Sequence, residues 1–222
     1  MKIEIEDFND ADAIINRKFK SEWNEIEEVI KKMPLHLKPS RQKGIKGSLI
    51  FDPVATNKYM AEELPKRGWH KNPSIPQRFQ VLGLDVDFAK SGIIVEVQFS
   101  NYPFLSNNVI RTELFQRSSV KFLSKETELL LVITKAHMFP ASNSTLYFEQ
   151  GVGLLRSLDD YDIFRSPVRL VGLFEDKNTT VPAIYSKYPA IYSRNAGMQA
   201  NSKCRISSGP TGASRCNLQL IN

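Results

Sequence analysis

The stretch LDVDFAKSGIIVEVQF, residues 84–99, contains Asp87, Glu96 and Gln98, whose side chains could act together. Alternating apolar residues predict a strand over 93–99, with Glu96 and Gln98 on the same face. Asp87 lies just upstream, before a Lys-Ser-Gly turn. If the strand that ends near Asp87 pairs with the next one, these three polar side chains converge.

Such a group of residues can bind a metal ion. Two carboxylates at short distance repel each other, and a hard divalent cation relieves that repulsion. Mg²⁺ prefers oxygen ligands, lowers the pKa of a bound water and neutralises charge on a phosphoryl oxygen. The pattern therefore favours phosphodiester hydrolysis, with Asp87 and Glu96 as metal ligands. An acid followed by Glu-x-Gln is common, so the alternative is a half-exposed strand whose Glu96 and Gln98 are solvated.

Basic side chains are concentrated in two segments of the chain. The 222 residues carry a formal net charge of +6. Residues 31–50 contain six lysines and arginines and no acid, and the residues after Asp176 also contain no acid. Such segments suit a polyanion partner, because each phosphate contact releases condensed counterions. A merely basic surface is the alternative.

Composition excludes several classes of protein. With 41% hydrophobic residues, the chain resembles a globular protein rather than a disordered or collagen-like one. The longest apolar runs, such as Leu129–Thr134, are too short to span a bilayer, and the acidic N-terminal segment has no secretory core. Cys204 and Cys216 lack zinc-site spacing, which favours free thiols over the alternative of a disulfide. We therefore expect a cytoplasmic protein.

Other elements must hold the strand that carries Glu96. Hydrophobic patterning predicts helices at 21–33, 57–64, 108–118 and 146–158, and strands at 79–87, 93–99, 129–135 and 165–174. This order predicts an α/β fold with a mixed central β-sheet flanked by helices and an N-terminal helical layer. From about residue 206 the chain is rich in Ser, Gly and Pro, which predicts a flexible tail.

Five stretches carry a resemblance to a known family. They are GSLIFDPVATN (47–57), LGLDVDF (82–88), VEVQFSNYPFLSNN (95–108), ITKAHMFPASNS (133–144) and RLVGLFED (169–176). On these stretches the chain resembles the BglII family of type II restriction endonucleases and, more broadly, nucleases of the PD-(D/E)xK superfamily. The resemblance runs from the N-terminus to about Arg194.

The resemblance also implies a domain organisation. We expect a restriction-endonuclease-like (PD-(D/E)xK) core with extra N-terminal helices. One endonuclease domain is expected over 1–205, with its catalytic core at about 79–175. Residues 206–222 are expected to form the flexible C-terminal tail.

The resemblance further implies a role for each residue of the opening stretch. Asp87 and Glu96 match the two metal-binding acids of the superfamily, and the backbone carbonyl of Val97 is expected as a further ligand. Gln98 stands where most of the superfamily has a lysine, and Val86 stands where the motif's name has a proline. Gln98 would orient the water that attacks phosphorus, leaving a 5′-phosphate and a 3′-hydroxyl. Mg²⁺ is the expected cofactor.

A second group of residues is expected to bind DNA. Asn143 and Ser144 match a base-reading pair of the family, and asparagine offers a bidentate pair to adenine N6 and N7. From the residues alone, they fit a turn with a helix N-cap equally well. The other expected contacts are Ser100, Asn101, Arg111, Tyr192 and Arg194. For Arg111 the alternative is a solvated residue on a helix.

We therefore predict a Mg²⁺-dependent, homodimeric restriction endonuclease of a prokaryotic restriction-modification system. It would act on double-stranded DNA, with no nucleotide cofactor and no membrane partner. The expected site is a palindrome with a GATC core, AGATCT, cut before GATC to leave a 5′ overhang.

Two other functions remain open. One is a structure-specific repair or recombination nuclease with the same core, and the other is a non-catalytic DNA-binding module. Lys135, at a strand end, could approach phosphate or be solvated. His137 is expected to be packed and hydrogen-bonded rather than catalytic.

Overall fold

The fold was analysed in a computed structural model that describes residues 1–142, 145–190, 192–211 and 214–221. The strands are β1 (Lys2–Phe8), β2 (Leu35–Pro39), β3 (Leu49–Phe51), β4 (His70–Lys71), β5 (Phe88–Lys90), β6 (Ile93–Val97), β7 (Lys121–Phe122), β8 (Lys125–Glu126), β9 (Leu129–Lys135), β10 (Val168–Phe174), β11 (Thr179–Lys187), β12 (Met198–Ser207) and β13 (Asn217–Ile221). The helices are α1 (Ala11–Ile14), α2 (Lys20–Lys32), α3 (Pro53–Glu63), α4 (Pro103–Arg117) and α5 (Phe148–Asp159).

A central sheet of six strands has the order β1-β10-β9-β6-β5-β4. The inner strands β10, β9 and β6 are parallel, whereas β1 and β5 pair antiparallel on either side of them. The prediction of a mixed central sheet with N-terminal helices is therefore confirmed. No helix in the part of the chain that the structure describes is long and apolar enough to cross a membrane.

Both faces of the inner strands are buried. On one face, Val95 and Leu131 belong to the cluster that includes Ile26 of α2 and residues of the second sheet. On the other face, Ile94 and Val132 belong to the cluster that includes residues of α4 and α5. Two-sided burial requires a continuous apolar run rather than strict alternation, which explains the sequence LLLVIT in β9.

A second sheet of five strands, in the order β13-β12-β11-β2-β3, was not expected. β13 pairs antiparallel with β12, from Lys203↔Ile221 to Ser207↔Asn217. The prediction of a flexible C-terminal tail is therefore wrong for Asn217–Ile221. The physical reason is that Leu218 and Leu220 of β13 pack against the core, while the backbone of β13 pairs with β12.

The strand expected over 79–87 is also absent. Gln77–Leu82 forms a 3₁₀ helix instead, and β5 begins only at Phe88. Val86 is buried and Phe79 packs against the core, but Val81 and Leu84 are exposed, so the apolar residues of this segment do not form one buried strand face. The other predicted helices and strands overlap their counterparts, and β9 has the predicted bounds.

Candidate active site

The end of β6 holds the acids that the sequence singled out. β5 pairs with β6 so that Phe88 lies opposite Val95, and the preceding residue, Asp87, therefore reaches the level of Glu96. The N–H group of Val97 donates a hydrogen bond to Oδ2 of Asp87, at 2.7 Å. Asp87 and Glu96 thus flank one peptide unit at the C-terminal end of the parallel strands.

Both carboxyl groups lie in a desolvated environment. Glu96 is only 6% exposed, so the alternative of a solvated strand face does not hold for it. Burial raises the pKa of Glu96; the charge of Arg111 opposes this shift, and the charges of Asp87 and Asp85 add to it. Burial also raises the pKa of Asp87, against the hydrogen bond from Val97 and the charge of Arg111.

Arg111 occupies a different place from the one expected. From α4, its buried guanidinium donates to Oε1 of Glu96 and, at 3.4 Å each, to the carbonyl oxygens of Leu82 and Asp85. It is 6% exposed, so the alternative of a solvated helix residue is wrong. Arg111 neutralises part of the charge of Glu96, and a role for it in binding DNA stays a prediction.

Gln98 follows β6 and is half-buried. Its backbone N–H donates to the carbonyl of Ile133 in β9, at 2.9 Å. Its side-chain amide donates to the carbonyl of Ser100. Ser100 and Asn101 are exposed just before α4, as residues that contact a macromolecule would be.

A cleft of about 600 Å³ opens at Asp87. It brings Arg194, which the sequence marked as a DNA contact, into the same space as Asp87 and Val97. Further polar residues that the sequence did not suggest also line it: Asn57, Lys58, Glu62, Lys71, Asn72 and Asn195. They were missed because they lie in α3, in or next to the short edge strand β4 and in a polar connection, with no motif to distinguish them.

A second cleft, of about 550 Å³, shares Val54 with the first. Its cationic lining residues are Lys38, Arg41 and Lys187. Among the described residues that line it, none is acidic. The two clefts meet at Val54, and we call their six cations, these three together with Lys58, Lys71 and Arg194, the basic groove, although Glu62 and Asp87 also line the first cleft.

The expected base-reading pair, Asn143 and Ser144, lies outside the described residues. Ser142, just before the pair, lines the second cleft. Thr145, just after it, donates from Oγ1 to the carbonyl of Phe99 at 2.6 Å. Tyr192 is 91% exposed and precedes Arg194 by two residues.

Lys135 and His137 have defined partners. Lys135 is buried, so neither expectation for it, a phosphate contact or a solvated strand end, agrees with the structure. His137 is packed and hydrogen-bonded, as expected. Its Nδ1 lies 2.8 Å from Oγ of Ser214, and its ring packs edge-on against Tyr147.

The oxygen atoms at the end of β6 fit a hard cation. Within the described ranges, no group of three or more His, Cys, Asp and Glu side chains is arranged to hold a metal. Asp87 and Glu96 nevertheless supply two carboxylates, and Val97 supplies a backbone carbonyl beside them. A cation bound between two neighbouring carboxylates relieves their mutual repulsion and favours their ionised forms.

Known proteins resemble the chain over most of its length. Residues 3–173 match the family described as restriction endonuclease BglII/BglIII. The type II restriction enzyme BglII of Bacillus subtilis is 51% identical over 188 residues, which cover 85% of this chain and 83% of that protein.

Two solved structures extend the likeness to the fold. Restriction endonuclease BglII complexed with a DNA 16-mer matches with a TM-score of 0.95 at 46% identity, and each chain is covered completely. Free BglII matches with the same coverage and a TM-score of 0.77 at 43% identity. The conformation is thus more similar to that of the DNA-bound relative. The chain belongs to the BglII/BglIII family of restriction endonucleases.

Proposed function

We propose that this restriction endonuclease is a Mg²⁺-dependent homodimer of the bacterial cytoplasm that cleaves double-stranded DNA at AGATCT. Cleavage would fall before GATC and leave a 5′ overhang. The main support for a metal-dependent reaction is the proximity of Asp87 and Glu96, which lie on either side of the Val97 N–H group. The sequence of the site rests on the resemblance to the BglII family.

Asp87, Glu96 and the carbonyl of Val97 would hold the metal. When bound there, Mg²⁺ supplies charge neutralisation at phosphorus and a lowered pKa of its bound water. Gln98 cannot carry a positive charge, and its amide can only donate and accept hydrogen bonds. With its Nε2 donating to Ser100, its Oε1 can accept a hydrogen bond from the attacking water and orient it.

Arg111 offers an explanation for the absence of the usual lysine. A lysine at position 98 would place positive charge beside the carboxylates, whereas Gln98 adds none. In this chain the guanidinium of Arg111, on α4, donates to Oε1 of Glu96. We therefore assign to Arg111 the balancing of charge and to Gln98 the orientation of water.

The basic groove supports binding of double-stranded DNA along the path from Asp87 to Ser142. Lysine and arginine side chains that neutralise phosphates provide most of the sequence-independent affinity for DNA. Because Ser142 lies in this groove, the chain that follows it, Asn143 and Ser144, would begin beside the bound duplex. We propose these two residues as readers of base edges, with Ser100, Asn101 and Tyr192 as further contacts.

Exposed apolar side chains beside the active site support a homodimer. Ile110 and Leu114 lie one turn apart on α4, and both are exposed. Val81 and Leu84, in the segment that Arg111 contacts through Leu82, are also exposed. Clustered apolar side chains of this kind are typical of subunit interfaces. A two-fold dimer would present one active site to each strand of a palindrome.

The proposal is tested by digesting a plasmid that contains one AGATCT site in the presence of Mg²⁺ and sequencing the ends. Linear product with 5′-GATC overhangs is expected, and a plasmid without the site should stay intact. Random nicking would instead indicate a structure-specific nuclease, and binding without cleavage would indicate a non-catalytic module. Discrete cuts at other GATC-containing sites would overturn only the predicted identity of the outer base pair of the recognition site.

A further inference from the structure

Lys135, the last residue of β9, is buried in the hydrophobic core. Its relative exposure is 1%, although lysine is almost never fully buried without partners. Burial of an ammonium group is costly unless hydrogen bonds compensate for lost water. Burial lowers the pKa of Lys135 to about 7, and the charge of Arg215 adds to this effect. A lysine retained at such a position calls for an explanation.

All three donor positions of the Lys135 ammonium have acceptors. Nζ donates to the carbonyl oxygens of Phe99 and Leu146, at 3.1 Å each, and to Oγ1 of Thr145. The same Phe99 carbonyl accepts from Oγ1 of Thr145 at 2.6 Å and from the N–H of Leu146 at 3.3 Å. Three donors therefore converge on the Phe99 carbonyl, and Lys135 is the one that carries a charge.

Aromatic rings surround the ammonium on the remaining sides. Nζ lies 4.8 Å from the ring centroid of Tyr147, 5.7 Å from that of Phe51 and 5.8 Å from that of Phe99. These contacts are within the range of cation–π attraction. Because its described partners are neutral carbonyls, a hydroxyl and rings, Lys135 joins segments of chain rather than neutralising an acid.

The joined segments are the two that the proposed function depends on. Phe99 lies between Gln98 and Ser100, and Thr145 directly follows Asn143 and Ser144 in the chain. We propose that Lys135 is a positioning residue that ties the end of the catalytic strand to the chain that leaves the base-reading pair. This inference rests on the proposed function. It makes the placement of Gln98 depend on the placement of the chain that reads DNA.

The substitution Lys135→Met tests this role. Methionine keeps most of the volume and the rotamer freedom of lysine but donates no hydrogen bond, so the Phe99 and Leu146 carbonyls lose a partner. At saturating enzyme, the single-turnover cleavage rate constant should fall about 10- to 100-fold, since a misplacement of about 1 Å can have that effect. The ratio of rates on AGATCT and on sites with one changed base should also fall. Binding to DNA without the site should be unchanged.

Two further variants separate positioning from folding. Thr145→Val removes the hydroxyl that bridges Lys135 and Phe99, and we expect it to act in the same direction. Thr127→Val is the matched control. Its buried hydroxyl donates to the carbonyl of Val120, near the β7–β8 hairpin at the opposite end of β9. Its cleavage rate and discrimination should equal those of the wild type.

The outcomes are distinct. If the role of Lys135 is purely structural, Lys135→Met will lower the melting temperature and the amplitude of cleavage. The single-turnover rate constant and the discrimination ratio will then be unchanged, and that result would overturn the inference. If Lys135→Met does not fold, an unchanged rate constant and ratio for Thr145→Val would overturn it instead. A wild-type chain that makes no site-specific cuts would overturn the proposed function and this inference together.

Discussion

Arg111 and Glu96 form an ion pair between α4 and β6 in which each side chain is only 8% exposed. The pair joins the helix to the strand at the point where Asp87 approaches. Two buried charges of opposite sign stabilise each other only while both are present, since either one alone is a desolvated charge without a partner. The same contact therefore serves the stability of the fold and the charge balance of the site.

Removal of one partner should destabilise the protein strongly. We expect Arg111→Met to lower the free energy of unfolding by about 3–5 kcal/mol, the range for breaking a buried pair. The double variant Arg111→Met/Glu96→Gln should lose less than the sum of the two single losses. Urea unfolding measures both quantities. Arg117→Met is the control, because Arg117 pairs with Glu113 from an exposed position. Strict additivity would show that the two groups do not interact.

Glu113 should make stability depend on pH in the acid range. Burial raises its pKa, but this effect is outweighed by hydrogen bonds from Ser166 Oγ, from Arg117 and from the N–H groups of Arg165 and Ser166, which lower the pKa to about 2. The ionised carboxylate of Glu113 therefore stabilises the folded state at pH values above 4.5, its ordinary pKa. This contribution is lost as the pH falls from about 4.5 to about 2.

The variant Glu113→Gln isolates that contribution. The difference in unfolding free energy between wild type and variant should be largest near pH 5 and should shrink towards pH 2. Denaturant unfolding at four or five pH values measures it, with the exposed Glu126→Gln as a control that shows no such trend. A difference that stays constant over this range would contradict the assignment.

Lys135 should also make stability rise with pH, in this case in the alkaline range. Its pKa is lowered from 10.5 to about 7 in the folded protein, so between these values the unfolded chain binds more protons than the folded one. The stability of the wild type relative to Lys135→Met should therefore rise from pH 7 to about pH 10. Thermal or urea unfolding across this range, with the exposed Lys125→Met as control, measures it. A flat or falling difference would show that the buried amine keeps its proton.

The basic groove should contribute to DNA affinity through phosphates. We expect Lys71→Gln and Lys187→Gln each to weaken binding to all sequences alike. Each should also reduce the slope of log affinity against log salt by about 0.9, the value for one lost phosphate contact. Fluorescence anisotropy in a salt series measures both effects. Lys125→Gln, on the β7–β8 hairpin, should change neither. Loss of discrimination between sequences without a change in slope would argue against phosphate binding.

The parts of the fold that the sequence predicts well are those governed by local burial. β9 is packed on both faces, and its apolar run predicts its bounds to the residue. The convergence of Asp87 and Glu96 follows from their positions in the sequence. Because β5 and β6 are antiparallel and Phe88 pairs with Val95, the residue before Phe88 lies beside the residue after Val95. The second sheet was missed because β11, β12 and β13 are only partly buried and carry many polar residues, with a proline in β11.

The parts of the site that sequence reasoning missed depend on contacts between distant segments. Arg111 reaches Glu96 only because α4 packs beside the connection at Leu82, 29 residues earlier in the chain. Lys135 looks like a strand end in the sequence, and its burial depends on distant residues such as Phe51, Phe99 and Leu146. Lys71 lines the cleft because β4 adds to the edge of the central sheet. None of these pairings leaves a periodic pattern.

The central claim, that the acids at the end of β6 carry out cleavage, is tested most directly by the variant Asp87→Asn on a duplex containing AGATCT. Binding without Mg²⁺ and cleavage with Mg²⁺ should be measured on the same preparation, with the exposed Asp160→Asn as control. The claim predicts that binding is retained while the cleavage rate falls by more than about 100-fold, the upper range for groups that merely orient a metal ligand. Cleavage by Asp87→Asn at close to the wild-type rate would contradict it.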